Sequence, residues 1–168
     1  MPDPTKIPIQ FDPLAQRMVG RTYHQGIEFD VPFISQIADN LWQGGCRNGL
    51  LLPTHINYIV SLYPWERYII EHKVRGEVYI RMYDDPNQAL DQLEEIATQV
   101  NFWRKEGAVL VHCQAGLNRS SVVVARALML EGMSADDAIK LIRDKRSPAC
   151  LCNAGFEQWL RSRDVQTI

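Results

Sequence analysis

The chain has 168 residues, of which 46% are hydrophobic and 23% are charged, and its formal net charge is −2. This length and composition predict one soluble globular domain whose core is large enough to fold without disulfide or metal staples. The small negative charge excludes the strongly basic proteins that attract nucleic acid or an anionic membrane through their overall field. Because no apolar run reaches the about 18 residues of a membrane span, we expect no membrane segment.

The four cysteines, Cys46, Cys113, Cys150 and Cys152, show neither Cys-x-x-Cys spacing nor a nearby set of histidines. The sequence therefore predicts no metal and no cofactor. Cys150 and Cys152 are interpreted as small buried residues. The first residues lack the apolar core of a signal peptide, so we expect a cytoplasmic protein. We further expect a monomer.

Residues 1–28 contain four prolines and little periodicity. This composition predicts an N-terminal extension that wraps on the domain or stays mobile. Within the extension we predict one short helix over residues 11–19, and we place Tyr23 and His24 at the surface. The folded domain is predicted to span residues 29–168.

From residue 33 onward, short β-branched runs alternate with helical stripes. The predicted strands are 41–45, 56–62, 77–83 and a run that starts at 109, and the predicted helices are 88–104, 120–131, 135–145 and a terminal one. This order predicts an α/β fold with a central, mostly parallel sheet of about four to five strands flanked by helices. Ligands of such sheets bind at the carboxyl ends of the strands, where the acidic turn at 84–85 and the loop after residue 112 should open together.

The stretch from Val109 to Val124 combines a buried strand, a loop of small residues and the start of a helix. Loop N–H groups and a helix N-terminus together form a site for an anion. A cysteine thiol in such surroundings, beside a cation, ionises more readily than free cysteine, which predicts that Cys113 is a thiolate nucleophile. Arg119 offers a planar fork of donors to two phosphate oxygens. Gly116 lets the backbone turn and approach a ligand closely.

Residues 112–121, His-Cys-Gln-Ala-Gly-Leu-Asn-Arg-Ser-Ser, resemble the loop His-Cys-x-x-Gly-x-x-Arg-Ser/Thr of the cysteine-dependent protein tyrosine phosphatases. The likeness is strongest to the dual-specificity branch, and Asn153 and Phe156 are similar to the Asn-x-x-Phe of that family's terminal helix. The resemblance implies a strand–loop–helix active site in which Cys113 attacks phosphorus and forms a phosphocysteine intermediate. Phosphate would be held by the loop residues Gln114, Ala115, Gly116, Leu117, Asn118 and Arg119.

The resemblance also implies a carboxylic acid that protonates the leaving oxygen, on the loop that follows the preceding strand. That loop holds Asp84 and Asp85, of which we prefer Asp84 for its spacing to the next helix, and we expect at least one of them to cap that helix. Ser120 matches the family's hydroxyl, which would steady the thiolate, although it could also be the helix N-cap. For His112, orientation of the loop and a plain core role both stay open. Asn118 is interpreted as a brace of the loop backbone.

These residues predict a protein phosphatase that hydrolyses phosphotyrosine and, through a shallow cleft, phosphoserine and phosphothreonine. Its partners would be a phosphorylated protein and a phosphate or other oxyanion in the active site, without nucleic acid or membrane. One alternative is a phosphatase of non-protein phosphoesters, such as a phosphoinositide, a sugar phosphate or an RNA 5′-triphosphate. The loop has no lysine between Cys113 and Arg119, which argues against a highly charged lipid headgroup. The other alternative is a phosphate-binding module without turnover, for which the nucleophile would have no use.

Overall fold

The computed structural model describes residues 2–164, which form eight strands and four helices. In chain order the strands are β1 (Ile9–Asp12), β2 (Arg17–Arg21), β3 (Glu28–Pro32), β4 (Ile34–Ala38), β5 (Leu41–Gly44), β6 (Ile56–Ser61), β7 (Gly76–Tyr79) and β8 (Ala108–His112). The helices are α1 (Gln92–Arg104), α2 (Arg119–Leu130), α3 (Ala135–Lys145) and α4 (Ala154–Ser162). None of these four helices is long and apolar enough to cross a membrane.

The central sheet has five strands in the order β4-β5-β8-β6-β7. Strands β5, β8, β6 and β7 pair in parallel, and β4 joins the edge as the antiparallel partner of β5. The predicted fold class, a mostly parallel sheet flanked by helices, is therefore confirmed. Parallel pairing brings the carboxyl ends of β5, β6 and β8 to one edge of the sheet, where the loop after His112 opens.

Strand β8 lies in the middle of the sheet because it is apolar on both faces. Val109 and Val111 pack in the larger core cluster, which also contains the buried residues of all four helices. Leu110 points to the opposite face and packs in a smaller cluster. The irregular connection between β6 and β7 covers that second face with Tyr68 and Ile70. The loop after His112 thus begins from a strand that is packed on both faces.

The N-terminal part of the chain forms a second, three-stranded antiparallel sheet in the order β1-β2-β3. The predicted helix over 11–19 is wrong, because this segment is a hairpin. The carboxylate of Asp12 accepts the N–H group of Leu14 at 3.1 Å, which favours a turn at this Asp-Pro sequence. Met18 is completely buried in the larger core cluster, so the small sheet packs on the central domain. A domain boundary after residue 28 stays a prediction.

The acidic turn before α1 also differs from the expectation. Helix α1 begins at Gln92, later than predicted, and its N-cap residue Asp91 makes no side-chain capping bond. The Asp85 carboxylate instead accepts the N–H group of Asn87 at 2.8 Å, within the turn itself. The expectation that Asp84 or Asp85 caps the helix is therefore wrong, because the chain turns once more before the helix starts.

Candidate active site

The loop of residues 113–119, here called the phosphate-binding loop, connects β8 to α2. Cys113 follows the end of β8, and Arg119 is the first residue of α2. Both side chains are almost fully buried. The Sγ atom of Cys113 lies 3.3 Å from the Oγ atom of Ser120. The N-cap residue of α2 is Asn118, so Ser120 is not the helix cap and its hydroxyl is directed to the sulfur instead.

The carbonyl groups of the phosphate-binding loop point away from its centre and are held from outside. Arg146 donates to two of these carbonyls, and neighbouring backbone and side-chain groups donate to the others. The contacts are Arg146 Nη2 to Ala115 O at 2.9 Å, Arg146 Nε to Gly116 O at 2.7 Å, Gln43 Nε2 to Gly116 O at 3.0 Å, Cys46 N to Gln114 O at 3.1 Å and Leu151 N to Leu117 O at 2.9 Å. Because each peptide is planar, this arrangement turns the N–H groups of the loop inward, towards a bound oxyanion.

Gly116 is required by both conformation and space. Its φ of +74° is a backbone angle that residues with a side chain rarely adopt, and an added Cβ would lie 2.5 Å from the carbonyl carbon of Gly44. The loop therefore packs directly on the end of β5.

Arg119 is held by two oxygens that come from distant parts of the chain. Its Nη1 atom donates to Oδ2 of Asp3 at 2.8 Å and to the carbonyl of Met82 at 2.9 Å. The guanidinium also lies over the ring of Tyr63, with 5.2 Å between its central carbon and the ring centroid. Sequence reasoning missed Asp3, because an acidic residue between two prolines near the N-terminus is typical of a solvated tail.

Asp84 is buried at the same site, whereas Asp85 is directed into its own turn. The Oδ2 atom of Asp84 accepts a hydrogen bond from the side-chain amide of Asn118 at 3.0 Å, and the Oδ1 atom of Asp84 accepts one from the side-chain amide of Asn153 at 2.9 Å. Asn118 also accepts the N–H group of Asn153 through Oδ1 at 2.9 Å. Asn118 therefore connects the acidic turn to the start of α4, rather than bracing only the loop backbone as expected.

His24 is partly exposed and also contacts Asp84 of the site, a contact that sequence reasoning missed. Its Nε2 atom lies 2.6 Å from the carbonyl oxygen of Asp84 and 3.4 Å from Oδ1 of the same residue. The side-chain hydrogen bond to Asp84 raises the pKa of His24 above its ordinary value. Tyr23 is half exposed, as predicted, and lies edge-on to the His24 ring.

His112 is buried as a neutral imidazole below the phosphate-binding loop. Burial lowers its pKa from 6.5 to about 4, and its Nδ1–H group donates to the carbonyl of Cys113 at 3.3 Å. The ring of Tyr68 packs edge-on against it. The neutral ring contacts the start of the loop through its bond to the Cys113 carbonyl but adds no positive charge beside the sulfur at neutral pH.

All the predicted site residues except Gly116 and Ser120 border a cavity of about 20 Å³, which is room for about one water. Asp84, Cys113 and Arg119 line it together with the loop residues Gln114, Ala115, Leu117 and Asn118. The remaining lining residues, which sequence reasoning missed, come from the N-terminal part of the chain: Thr5, Ile7, Thr22 and Tyr23. No motif marks these residues, because their place depends on how the small sheet folds onto the domain.

The other three cysteines are buried, and the pKa of each thiol is raised. Cys150 and Cys152 are buried as predicted, and burial raises the pKa of Cys150 to about 11. Burial also raises the pKa of Cys46 far above its ordinary value. Across residues 2–164, no group of three or more His, Cys, Asp and Glu side chains is arranged to hold a metal ion.

Comparison with known proteins gives one consistent likeness. Residues 52–166 match the family model described as dual specificity phosphatase, catalytic domain. The chain is 32% identical over 142 residues to "Putative tyrosine phosphatase 123R" of Invertebrate iridescent virus 6, covering 76% of this chain and 94% of the viral protein. It is 41% identical over 64 residues to PRL-1 phosphatase of Drosophila melanogaster, 38% of this chain and 36% of the relative. A crystal structure titled as a "mouse putative dual specificity phosphatase" in complex with zinc tungstate matches 79% of this chain and 87% of its own, with a TM-score of 0.68 and 26% identity.

Proposed function

Since the chain belongs to the dual specificity phosphatase family and is a cysteine-dependent protein phosphatase, we propose that Cys113 is its nucleophile and Asp84 its general acid. The observation that carries this assignment is the shared cavity, which Cys113, Asp84 and Arg119 line together. A nucleophile, a proton donor and a charge stabiliser at one point are what phosphoryl transfer requires.

In the first step, the Cys113 thiolate attacks phosphorus, the bond to the ester oxygen breaks, and Asp84 donates its proton to that oxygen. Negative charge on the phosphoryl oxygens is stabilised by Arg119 and by the inward N–H groups of residues 114–119. In the second step, Asp84 accepts a proton from water, which attacks phosphorus and releases the sulfur. The Ser120 hydroxyl, 3.3 Å from Sγ, stabilises the departing thiolate.

The substrate is a phosphorylated protein, and we propose that phosphotyrosine is accepted, with phosphoserine and phosphothreonine as further substrates. The likeness to protein tyrosine phosphatases favours this class over non-protein phosphoesters. Tyr23 supports the acceptance of an aromatic ring, because it is exposed at the cavity and presents an aromatic surface. The cytoplasmic location, the monomeric state and the lack of nucleic-acid and membrane partners stay predictions.

The covalent step is tested with Cys113→Ser. This variant should lose hydrolysis of an aryl phosphate, by at least about a thousandfold, and still bind orthovanadate, because the phosphate-binding loop remains. Cys46→Ser is the matched control: it changes a buried cysteine whose thiol stays protonated, and activity should be retained. Turnover that persists in Cys113→Ser would disprove the nucleophile.

The acid is tested by comparing Asp84→Asn with its neighbour Asp85→Asn. Loss of a general acid slows alkyl phosphates much more than activated aryl phosphates, because a poor leaving group needs the proton more. We expect this selective loss, roughly 100-fold or more, only in Asp84→Asn. A selective loss in Asp85→Asn would assign the acid to Asp85. Wild-type rates in both variants would make the turn purely structural.

A further inference from the structure

We propose that Asp3 is a positioning residue for the phosphatase reaction, which fixes the orientation of the Arg119 guanidinium from outside the cavity. The proposal rests on the proposed function of Arg119 as the group that binds phosphate. It assigns a role to a segment that precedes the residues matched by the family model, which begin at 52.

The first observation is the burial of this ion pair. The Asp3 carboxylate lies 2.8 Å from Arg119 Nη1, with the side chains only 1% and 4% exposed, respectively. A guanidinium at this depth needs a compensating charge, because its transfer from water is costly. In residues 2–164 no other carboxylate forms an ion pair with Arg119. Asp3 therefore supplies the counter-charge that keeps the arginine in place before a phosphate arrives.

The second observation is which guanidinium atoms are used. Both Asp3 and the Met82 carbonyl accept from Nη1. Across the part of the chain that the structure describes, no protein oxygen accepts from Nε or Nη2 of Arg119. This leaves a pair of donors for a bidentate contact with two phosphate oxygens, the geometry in which arginine binds phosphate best.

The third observation is that Asp3 lies outside the cavity. Its neighbours Thr5 and Ile7 line the cavity with Cys113, but Asp3 does not. A residue that mimicked phosphate would lie above the sulfur and contact the loop N–H groups. Asp3 instead contacts Arg119 without lining the cavity, so its position suits a support rather than a competitor.

The fourth observation is a chain of hydrogen bonds that connects this support to the general-acid turn. The second carboxylate oxygen of Asp3, Oδ1, accepts the N–H and hydroxyl groups of Thr5 at 2.8 and 2.5 Å. The Thr5 hydroxyl accepts the backbone N–H of Asp84 at 3.1 Å. Two further bonds, at 2.6 and 3.0 Å, fasten the backbone of Ile7 to the side chain of Gln114 in the phosphate-binding loop. Asp3 and Thr5 thus fix the phosphate-binding arginine relative to the acid.

The test is Asp3→Asn, which keeps the side-chain shape and removes the charge. We expect kcat/KM for an aryl phosphate to fall and the inhibition constant of orthovanadate to rise, both by roughly 10- to 100-fold, because a misplaced arginine contacts the oxyanion poorly. Asp30→Asn is the matched control, since it breaks an ion pair of 2.6 Å with Arg17 in the small sheet, away from the cavity. This control should keep the wild-type values.

Two outcomes of the Asp3→Asn measurements would overturn the proposal. Tighter binding of orthovanadate to Asp3→Asn would show that the carboxylate competes with the substrate. An unchanged inhibition constant with a lowered melting temperature would show that Asp3 only stabilises the fold. Should Asp3→Asn not fold, Thr5→Val is measured in the same assays, because it removes the hydroxyl that links Asp3 Oδ1 to Asp84. We expect this variant to bind orthovanadate several-fold more weakly. An unchanged inhibition constant would overturn the proposal.

The outcome is separable from that of the proposed function. If Cys113→Ser is inactive and the wild type hydrolyses aryl phosphate, the covalent mechanism stands whatever Asp3→Asn does. If the wild type has no such activity, the proposed function itself fails.

Discussion

The buried imidazole of His112 contributes to the dependence of stability on pH in the acid range. The pKa of His112 falls from 6.5 to about 4 in the folded chain because the ring is fully buried. Between these values the unfolded chain binds a proton that the folded chain does not, so stability decreases as the pH falls. The shift corresponds to about 3 kcal/mol, all of it present above pH 6.5.

We predict that His112→Asn removes this component. Urea unfolding between pH 6.5 and pH 4 should show the wild type losing up to about 3 kcal/mol more than the variant. Subtracting the two curves cancels the titration of all other groups, including His24. His55→Asn, which removes an exposed imidazole, is the control. Parallel curves for wild type and His112→Asn would contradict the prediction.

A second residue-scale prediction concerns the glycine of the phosphate-binding loop. Gly116 and Gly132 both have positive φ, +74° and +109°, but only Gly116 has backbone within 3 Å of an added Cβ. Gly132→Ala should cost about 1 kcal/mol, from backbone strain alone. Gly116→Ala should cost about 3 kcal/mol or more and abolish hydrolysis, because the loop must also move from β5. Thermal unfolding and aryl phosphate assays measure both, and equal effects of the two substitutions would exclude the contact with β5 as the cause.

At the scale of elements, the conformation of the phosphate-binding loop is held by the end of α3 and by strand β5. Arg146, at the end of α3, is buried and donates to Ala115, Gly116, Pro32 and Ser35. Three of these four acceptors are backbone carbonyls; if the guanidinium is removed, Gly116 O keeps the donor Gln43 Nε2, whereas Ala115 O loses the side-chain donor that holds it. Burying such groups without a hydrogen bond costs about 1–3 kcal/mol each.

Arg146→Met should therefore lower the free energy of unfolding by about 2–5 kcal/mol and reduce orthovanadate binding, because the freed carbonyls can turn towards the oxyanion. Arg143→Met is the matched control on the same helix, since Arg143 is partly exposed and donates to Cys150 O, Leu151 O and Glu157 but not to the loop itself. Chemical unfolding and vanadate titration give the two quantities. A loss of stability in Arg146→Met with unchanged vanadate affinity would rule out its effect on the loop.

The elements also show how far the sequence can be interpreted. The stretch from β8 into α2 was predictable because an apolar run, small loop residues and a helix stripe follow each other within one local segment. The helix predicted over 135–145 likewise forms as α3, and the Ser134 hydroxyl caps it by accepting the N–H group of Asp137 at 3.1 Å. The hairpin of β1 and β2 was not predictable, because its short alternation competes with a helical pattern and is decided by packing against the domain. The extra turn before α1 depends equally on tertiary contacts, since Asp84 is held by Asn118 and Asn153.

For the whole molecule, the three-stranded N-terminal sheet contributes buried side chains to the larger core cluster. The Met18 side chain is completely buried, and an added Cβ at Gly45, next to the phosphate-binding loop, would lie 2.4 Å from its methyl carbon. Met18→Ala should therefore lower the free energy of unfolding by about 2–5 kcal/mol in one cooperative transition. Val19→Ala, at a half-exposed neighbour in the same strand, should cost less than about 1 kcal/mol.

Chemical unfolding followed by tryptophan fluorescence measures these values. An early, separate transition in Met18→Ala, with the main transition unmoved, would instead make residues 1–28 an independent extension. The sequence could not settle this question, because the prolines that open the chain are typical of both a loose tail and a bound one. Only the fit of Met18 against Gly45 and of Asp3 against Arg119 distinguishes them.

The groups that hold the phosphate-binding loop lie on both sides of it in the sequence, and this has a consequence for biosynthesis. Cys113 leaves the ribosome before Arg146 and Leu151, whose donors hold three of the loop's carbonyl groups. A nascent chain therefore carries its sulfur for some time without a binding site for an oxyanion around it. We therefore expect phosphatase activity only after α3 and the segment that follows it have been synthesised.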